Sequence, residues 1–255
     1  MKRSRKVLIG ILLCVIIGSV SYIGYYYWTQ SKNEKVYKEM QKEVIKPERV
    51  KETESEVAQV EIPIDFAQLQ AQNPDIYAWI QIEGTNINYP IVQSAVDNEY
   101  YLNHTVEGQE GYPGSIYTEN WNTKTFTDFN TVIYGHDMKD GSMFQNLHNY
   151  ADASYMQQHP QVVIYTPEKK FTYEIFAAVV YDDRHVLHSF DYAFADQRQA
   201  FLDSIYNARN LGNVIREDVS VNTENRIVTL STCMTGQDDK RFLVEAVLIS
   251  EEDGR

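Results

Sequence analysis

The stretch Arg226-Ile227-Val228-Thr229-Leu230-Ser231-Thr232-Cys233, followed by polar residues 234–240, Arg241 and the apolar run 242–249, decides the fold class. Both flanking runs are rich in apolar and β-branched residues. The glycine-containing segment between them separates them as a loop separates two paired strands. Such a strand–loop–strand unit brings Cys233 and Arg241 to one edge, side by side. Similar β-type runs cover 87–92, 131–134, 162–165 and 171–181, the last two divided by a turn at Pro167-Glu168-Lys169-Lys170. Helical period is confined to 142–150 and 194–210; Phe194, Phe201, Leu202, Ile205 and Tyr206 share one face, with Gly212 as the stop. A short helix capped by Asp65 ends before Asn73-Pro74. Many short strands with few long helices predict a mainly β fold, a barrel or sandwich carrying helical insertions.

Upstream the material changes. Residues 7–28 run 22 positions without a charge, behind Lys2, Arg3, Arg5 and Lys6. At about 1.5 Å per residue that length crosses a hydrocarbon core of roughly 30 Å. Its far end, Tyr22, Tyr25, Tyr26, Tyr27 and Trp28, has the character of an interfacial aromatic belt. The basic flank predicts a cytoplasmic tail over 1–6, an uncleaved anchor over 7–28 and an exported domain over 62–255, a single-pass type II arrangement. A cleaved signal peptide is the alternative, but no small-residue cleavage site follows the apolar run. Residues 29–61 interleave Lys and Glu and read as a charged, solvated stalk, partly helical and broken near Pro47.

The charge is uneven: residues 1–60 carry 11 Lys+Arg against 7 Asp+Glu, and 61–255 carry 12 against 29. A bulk domain at −17 is a poor polyanion binder, which argues against nucleic acid as a partner. With 43% hydrophobic residues the chain buries a real core rather than remaining disordered. The two cysteines, Cys14 and Cys233, fall in regions too different to form a disulfide framework.

Three residues suggest chemistry. Cys233 ends a β-type run beside a loop, accessible and unable to pair within its own domain, which marks a free reactive thiol; a small packing residue is the plainer alternative. Arg241 supplies a permanent cation able to favour a thiolate and bind an oxyanion. His136 closes the run Thr131-Val132-Ile133-Tyr134 after Gly135, a glycine that permits close approach of another chain. The other histidines lie in polar or helical contexts and read as surface residues. No H-E-x-x-H, carboxylate loop or phosphate loop occurs, so no metal and no cofactor are expected.

Thr229-Leu230-Ser231-Thr232-Cys233 resembles the TLxTC signature of sortases, the membrane-anchored cysteine transpeptidases of Gram-positive surfaces. Tyr134-Gly135-His136 resembles the segment bearing their histidine, and Arg241 sits where their arginine falls. The stretches 98–104 and 135–144, with the helical insertion at 194–210, look specifically like class B. The resemblance covers about 62–250. It implies an eight-stranded barrel with N-terminal helices, and Cys233, His136 and Arg241 as catalytic residues. Asn98, Leu102 and Ser231 match positions that help hold the signal peptide. The implied partners are surface proteins bearing a C-terminal sorting signal, cleaved after Thr, and the amine of a cell-wall precursor of the lipid II type, or a pilin subunit. A cysteine endopeptidase is the rival enzyme, although papain-like families place the cysteine before the histidine. An anchored binding module is the non-enzymatic rival; such proteins often carry a sorting signal of their own, and 250–255 resemble none.

Overall fold

In the computed structural model, which describes residues 3–45 and 59–254, the charge-free stretch and the charged segment after it form one unbroken helix, α1 (Arg3–Val44). Its apolar part is exposed and is long and apolar enough to cross a membrane. Further along, Asn33, Tyr37, Met40 and Val44 recur at helical spacing and are buried against the domain. This corrects the expectation of a solvated stalk over 29–61 with the domain beginning at 62. The charged residues solvate only the outer face of α1, while its inner face belongs to the core. Pro47 and its expected break lie outside the described residues.

Helix α2 (Phe66–Gln72) begins as expected, with the Asp65 carboxylate accepting from the Gln68 backbone N–H at 3.1 Å. Next come β1 (Ile76–Gln81), β2 (Asn88–Val92), a 3-10 turn (Tyr100–Leu102), β3 (Ile116–Thr118), β4 (Asn130–Tyr134), a second 3-10 turn (Gln145–Ala151), α3 (Ala153–Gln158) and β5 (Gln161–Tyr165). The chain continues through β6 (Lys169–Asp182), α4 (Val186–Ser189), α5 (Ala195–Tyr206), β7 (Val214–Ile215), β8 (Ile227–Met234) and β9 (Gln237–Asp253). The strand order is β5-β1-β2-β3-β4-β8-β9-β6, and β6 pairs back onto β5, closing an eight-stranded mixed barrel. Strand β7 hangs on β6 outside the ring. Only β2–β3 and β4–β8 are parallel neighbours in that ring.

Several local expectations change. Residues 142–150 supply a 3-10 turn rather than an α-helix, and α5 ends at Asn207, so Gly212 (φ +89°) serves a later turn. Strands β1 and β3 were not foreseen. The first is buried on both faces and shows no alternation, and the second has only three residues. Residues 234–240 are largely strand, with a tight turn at Thr235-Gly236.

Two apolar layers position the site. Val228 and Leu230 of β8 belong to the main core with Trp79, Ile91, Ile133 and Val244. Ile227, on the opposite face of the strand, joins Val132, Leu243 and Val247 in a second layer beneath Phe201, Leu202 and Ile205 of α5. Each of these α5 side chains contributes about 1.5–3 kcal/mol through burial, enough together to hold the insertion on the barrel. The alternation along β8 puts Thr229, Ser231 and Cys233 on this outer, helix-covered side.

Candidate active site

The register of three neighbouring strands assembles the site. Strands β4 and β8 run parallel with Tyr134 opposite Ser231, so His136 and Cys233, each two residues further on, leave the barrel at the same rim. Strand β9 runs antiparallel and sets Arg241 directly opposite Cys233. All three line one groove of about 380 Å³, together with Leu102, Ser231 and Thr232. Asn98 is not among its lining residues; its Oδ1 accepts the backbone N–H of Asn120 at 2.7 Å and so braces the segment after β3.

Gly135 is required by close approach. Its N–H donates to the Ser231 carbonyl at 3.1 Å, and a Cβ there would fall 2.5 Å from Ile116 Cδ1 and 2.7 Å from the Phe144 ring. His136, next in line, makes a 2.7 Å hydrogen bond from Nε2 to the Leu102 carbonyl. A carbonyl only accepts, so Nε2 carries the proton, and Nδ1 is the nitrogen left to exchange one. The ring leans on Tyr112 with centroids 5.0 Å apart. Burial pushes the imidazole below its ordinary pKa, outweighing the upward pull of the Leu102 carbonyl, so the neutral form is favoured.

Cys233 is a free, exposed thiol on a backbone held from behind. His148 Nε2 donates to the Cys233 carbonyl at 3.1 Å and lies 3.4 Å from Asp137 Oδ2, which also accepts from Thr235 Oγ1 at 2.5 Å. The His148 ring packs 5.0 Å from that of Phe242. His148 thus ties the β8–β9 turn to the segment that follows β4. In sequence it reads as a surface histidine, because its partner lies 85 positions away.

Arg241 is half-buried and donates through Nη1 to the carbonyls of Asp238 (3.0 Å) and Lys240 (2.9 Å). Those carbonyls stand in an irregularity where the register passes from Cys233–Arg241 to Met234–Gln237, leaving 238–240 without partners on β8. They anchor one arm of the guanidinium, while Nε and Nη2 find no protein acceptor among the described residues. Arg184, also on the groove, forks onto Asp182 at 2.6 and 2.5 Å and is neutralised there.

Beneath the groove, Thr229 Oγ1 lies 2.8 Å from Glu245 Oε2 and 2.9 Å from Asn130 Oδ1. One hydroxyl proton cannot serve two acceptors, so a protonated Glu245 donating to Thr229 completes the chain to Asn130. Complete burial agrees, pushing Glu245 up to about 8. The motif threonine is therefore a buried relay, not a groove residue. Although no ligand motif is present in sequence, the fold also gathers Glu119, His185 and His188 into one group at the groove's margin.

The chain is similar to known proteins of one family. A family model described as a sortase domain matches residues 80–249. Sortase B of Listeria monocytogenes is 35% identical over 193 residues, 75% of this chain and 76% of that protein. Sortase B of Staphylococcus aureus is 31% identical over 186 residues, 72% and 74% of the two chains. Among solved structures, sortase B from Bacillus anthracis superposes with a TM-score of 0.71 at 30% identity, covering 90% of this chain and 99% of that one. A Staphylococcus aureus sortase B–substrate complex gives a TM-score of 0.64 at 27% identity, covering 92% and 99%.

Proposed function

Because the chain belongs to the sortase B family of cysteine transpeptidases, we propose that Cys233, His136 and Arg241 cleave a C-terminal sorting signal after Thr and pass the acyl group to an amine. The reading rests on one observation above others: the parallel β4–β8 pair and the antiparallel β9 deliver the three side chains to one rim. Neutral His136 takes the Cys233 proton on Nδ1 as sulfur attacks the threonine carbonyl carbon. The oxygen becomes anionic, and Arg241 donates to it through the arm not bound to Asp238 and Lys240. As the C–N bond breaks, the imidazolium returns its proton to the leaving nitrogen, leaving a thioester on Cys233. An incoming amine then attacks that thioester, gives its proton to His136 and expels the thiolate.

Leu102 and Ser231, on the groove wall, contact the bound signal, and Asn98 acts at one remove by fixing the loop at Asn120. The acceptor is the amine of a cell-wall precursor, or of a pilin subunit. The solved sortase B–substrate complex of a relative supports the reading that this chain binds a substrate. Helix α1 anchors the enzyme through residues 7–28, with Lys2, Arg3, Arg5 and Lys6 inside and the barrel outside the cell. Mass spectrometry of the protein incubated with signal peptides checks the mechanism. A thioacyl adduct is expected on Cys233, discharged faster when an amine is added; Cys233→Ala should form none. Discharge indifferent to amine would identify a hydrolytic endopeptidase instead.

A further inference from the structure

We propose that Glu119, His185 and His188 form a binding site for a zinc-type divalent cation, one that fastens the insertion after β6 to the segment after β3. One donor atom from each residue lies within 4.8 Å of the others. Glu119 directly follows β3 and is 7% exposed. His185 precedes α4, His188 lies on it, and their rings are 4.0 Å apart. Both carboxylate oxygens of Glu119 stand 2.9 Å from His185 Nε2, but only Oε1 is placed to accept its hydrogen bond. Among the described residues Oε2 is buried and accepts no hydrogen bond, its close polar neighbour being the same His185 Nε2. A buried carboxylate oxygen that accepts no hydrogen bond is costly, and a cation shared with two imidazoles removes that cost.

The donor chemistry selects the ion. Two neutral imidazoles and one carboxylate suit a borderline-soft metal, whereas calcium and magnesium favour oxygen donors throughout. Around zinc, with bonds of about 2.0–2.1 Å, tetrahedral ligands stand about 3.3–3.4 Å apart. The Glu119–His185 spacing of 2.9 Å is a hydrogen bond through the Nε2 proton; the ion displaces that proton to solvent or to Nδ1 and opens the two atoms by about 0.4–0.5 Å. His188 is exposed and reaches the position by side-chain rotation, and Trp121, edge-on at 4.9 Å, limits where its ring can go. The fourth position opens to water. Glu119 and His185 line the groove that holds Cys233, so the ion would join two of its walls.

The test uses the full chain in detergent micelles carrying Cys233→Ala together with Cys14→Ala, so that no thiol can bind the ion. Zinc is titrated in competition with a chromophoric chelator, and cobalt is added separately to read coordination from its visible absorption. One equivalent of zinc, a tetrahedral cobalt spectrum and zinc-slowed hydrogen exchange over 183–190 are expected. Outer-shell partners alone are worth about 10–100-fold in metal affinity, so His188→Ala and Glu119→Gln should each weaken zinc binding by at least about tenfold. If burial makes Glu119→Gln melt well below its parent, His185→Ala on the exposed side takes its place. No zinc uptake by the thiol-free chain, or undiminished binding in any of these folded variants, overturns the site.

Discussion

Arg241 is held by its own strand before any substrate arrives, and that arrangement sets what a substitution should do. Nη1 is occupied by the Asp238 and Lys240 carbonyls, so the rigid guanidinium plane fixes the direction of the remaining donors. Lysine has one point of attachment and cannot both anchor and donate in this way. Arg241→Lys should therefore lower kcat by about 10²–10³, the loss found when one oxyanion donor is removed, with KM little changed. Steady-state kinetics on one signal peptide check this, and a rise in KM at constant kcat would make Arg241 a peptide anchor instead. Glu245 gives a second outcome, in stability rather than rate. Its folded value of about 8 lies above the ordinary 4.5, so its contribution is fully present below about pH 4.5 and is lost as pH rises through about 8. Urea unfolding should show wild-type stability falling by roughly 3–5 kcal/mol across that window relative to Glu245→Gln, which has no such proton to lose. Cys233, His136 and Arg241 were legible in the sequence because each sits in a short local pattern at a strand end. Glu245 and His148 were not, since their meaning depends on Thr229 and Cys233, which only the folded register brings near.

Helix α1 misleads at the scale of an element. Its charged composition over 29–45 reads as a spacer, but one face carries Asn33, Tyr37, Met40 and Val44, all buried. Asn33 Nδ2 donates to the Tyr112 carbonyl at 2.6 Å, and the Tyr112 ring rests on His136. Tyr37 donates through its hydroxyl to the Gly114 carbonyl at 2.6 Å. A fragment beginning at residue 62 removes all of these, whereas one beginning near residue 30 keeps them. Losing a single buried aromatic side chain costs about 3–5 kcal/mol, so the shorter fragment should unfold at markedly lower urea and turn over signal peptide more slowly. Equal stability of the two fragments would mean that the helix contributes no packing. The strands show the converse difficulty. The outline of the barrel was readable from its long hairpins, but β1 hides because burial on both faces erases alternation, and β3 because three residues make no pattern.

For the whole molecule, the unbroken course of α1 has a mechanical consequence. Trp28 closes the apolar stretch, and Asn33 is already seated on the barrel. Five residues of helix rise only about 7–8 Å. On the proposed anchoring of residues 7–28, a short continuous stretch of helix carries the barrel and holds its groove at one altitude above the lipid surface. An enzyme so mounted patrols a thin layer instead of a sphere, which would favour partners that are themselves lipid-held at matching height. Inserting a Gly-Ser linker after Trp28 should leave cleavage of a free peptide unchanged while slowing transfer onto membrane-bound acceptors, as measured side by side in vesicles. Equal rates on both would mean that elevation is irrelevant. On that reading the unbroken helix acts as a jig, turning the distance between membrane and groove into a criterion for which substrates are within reach.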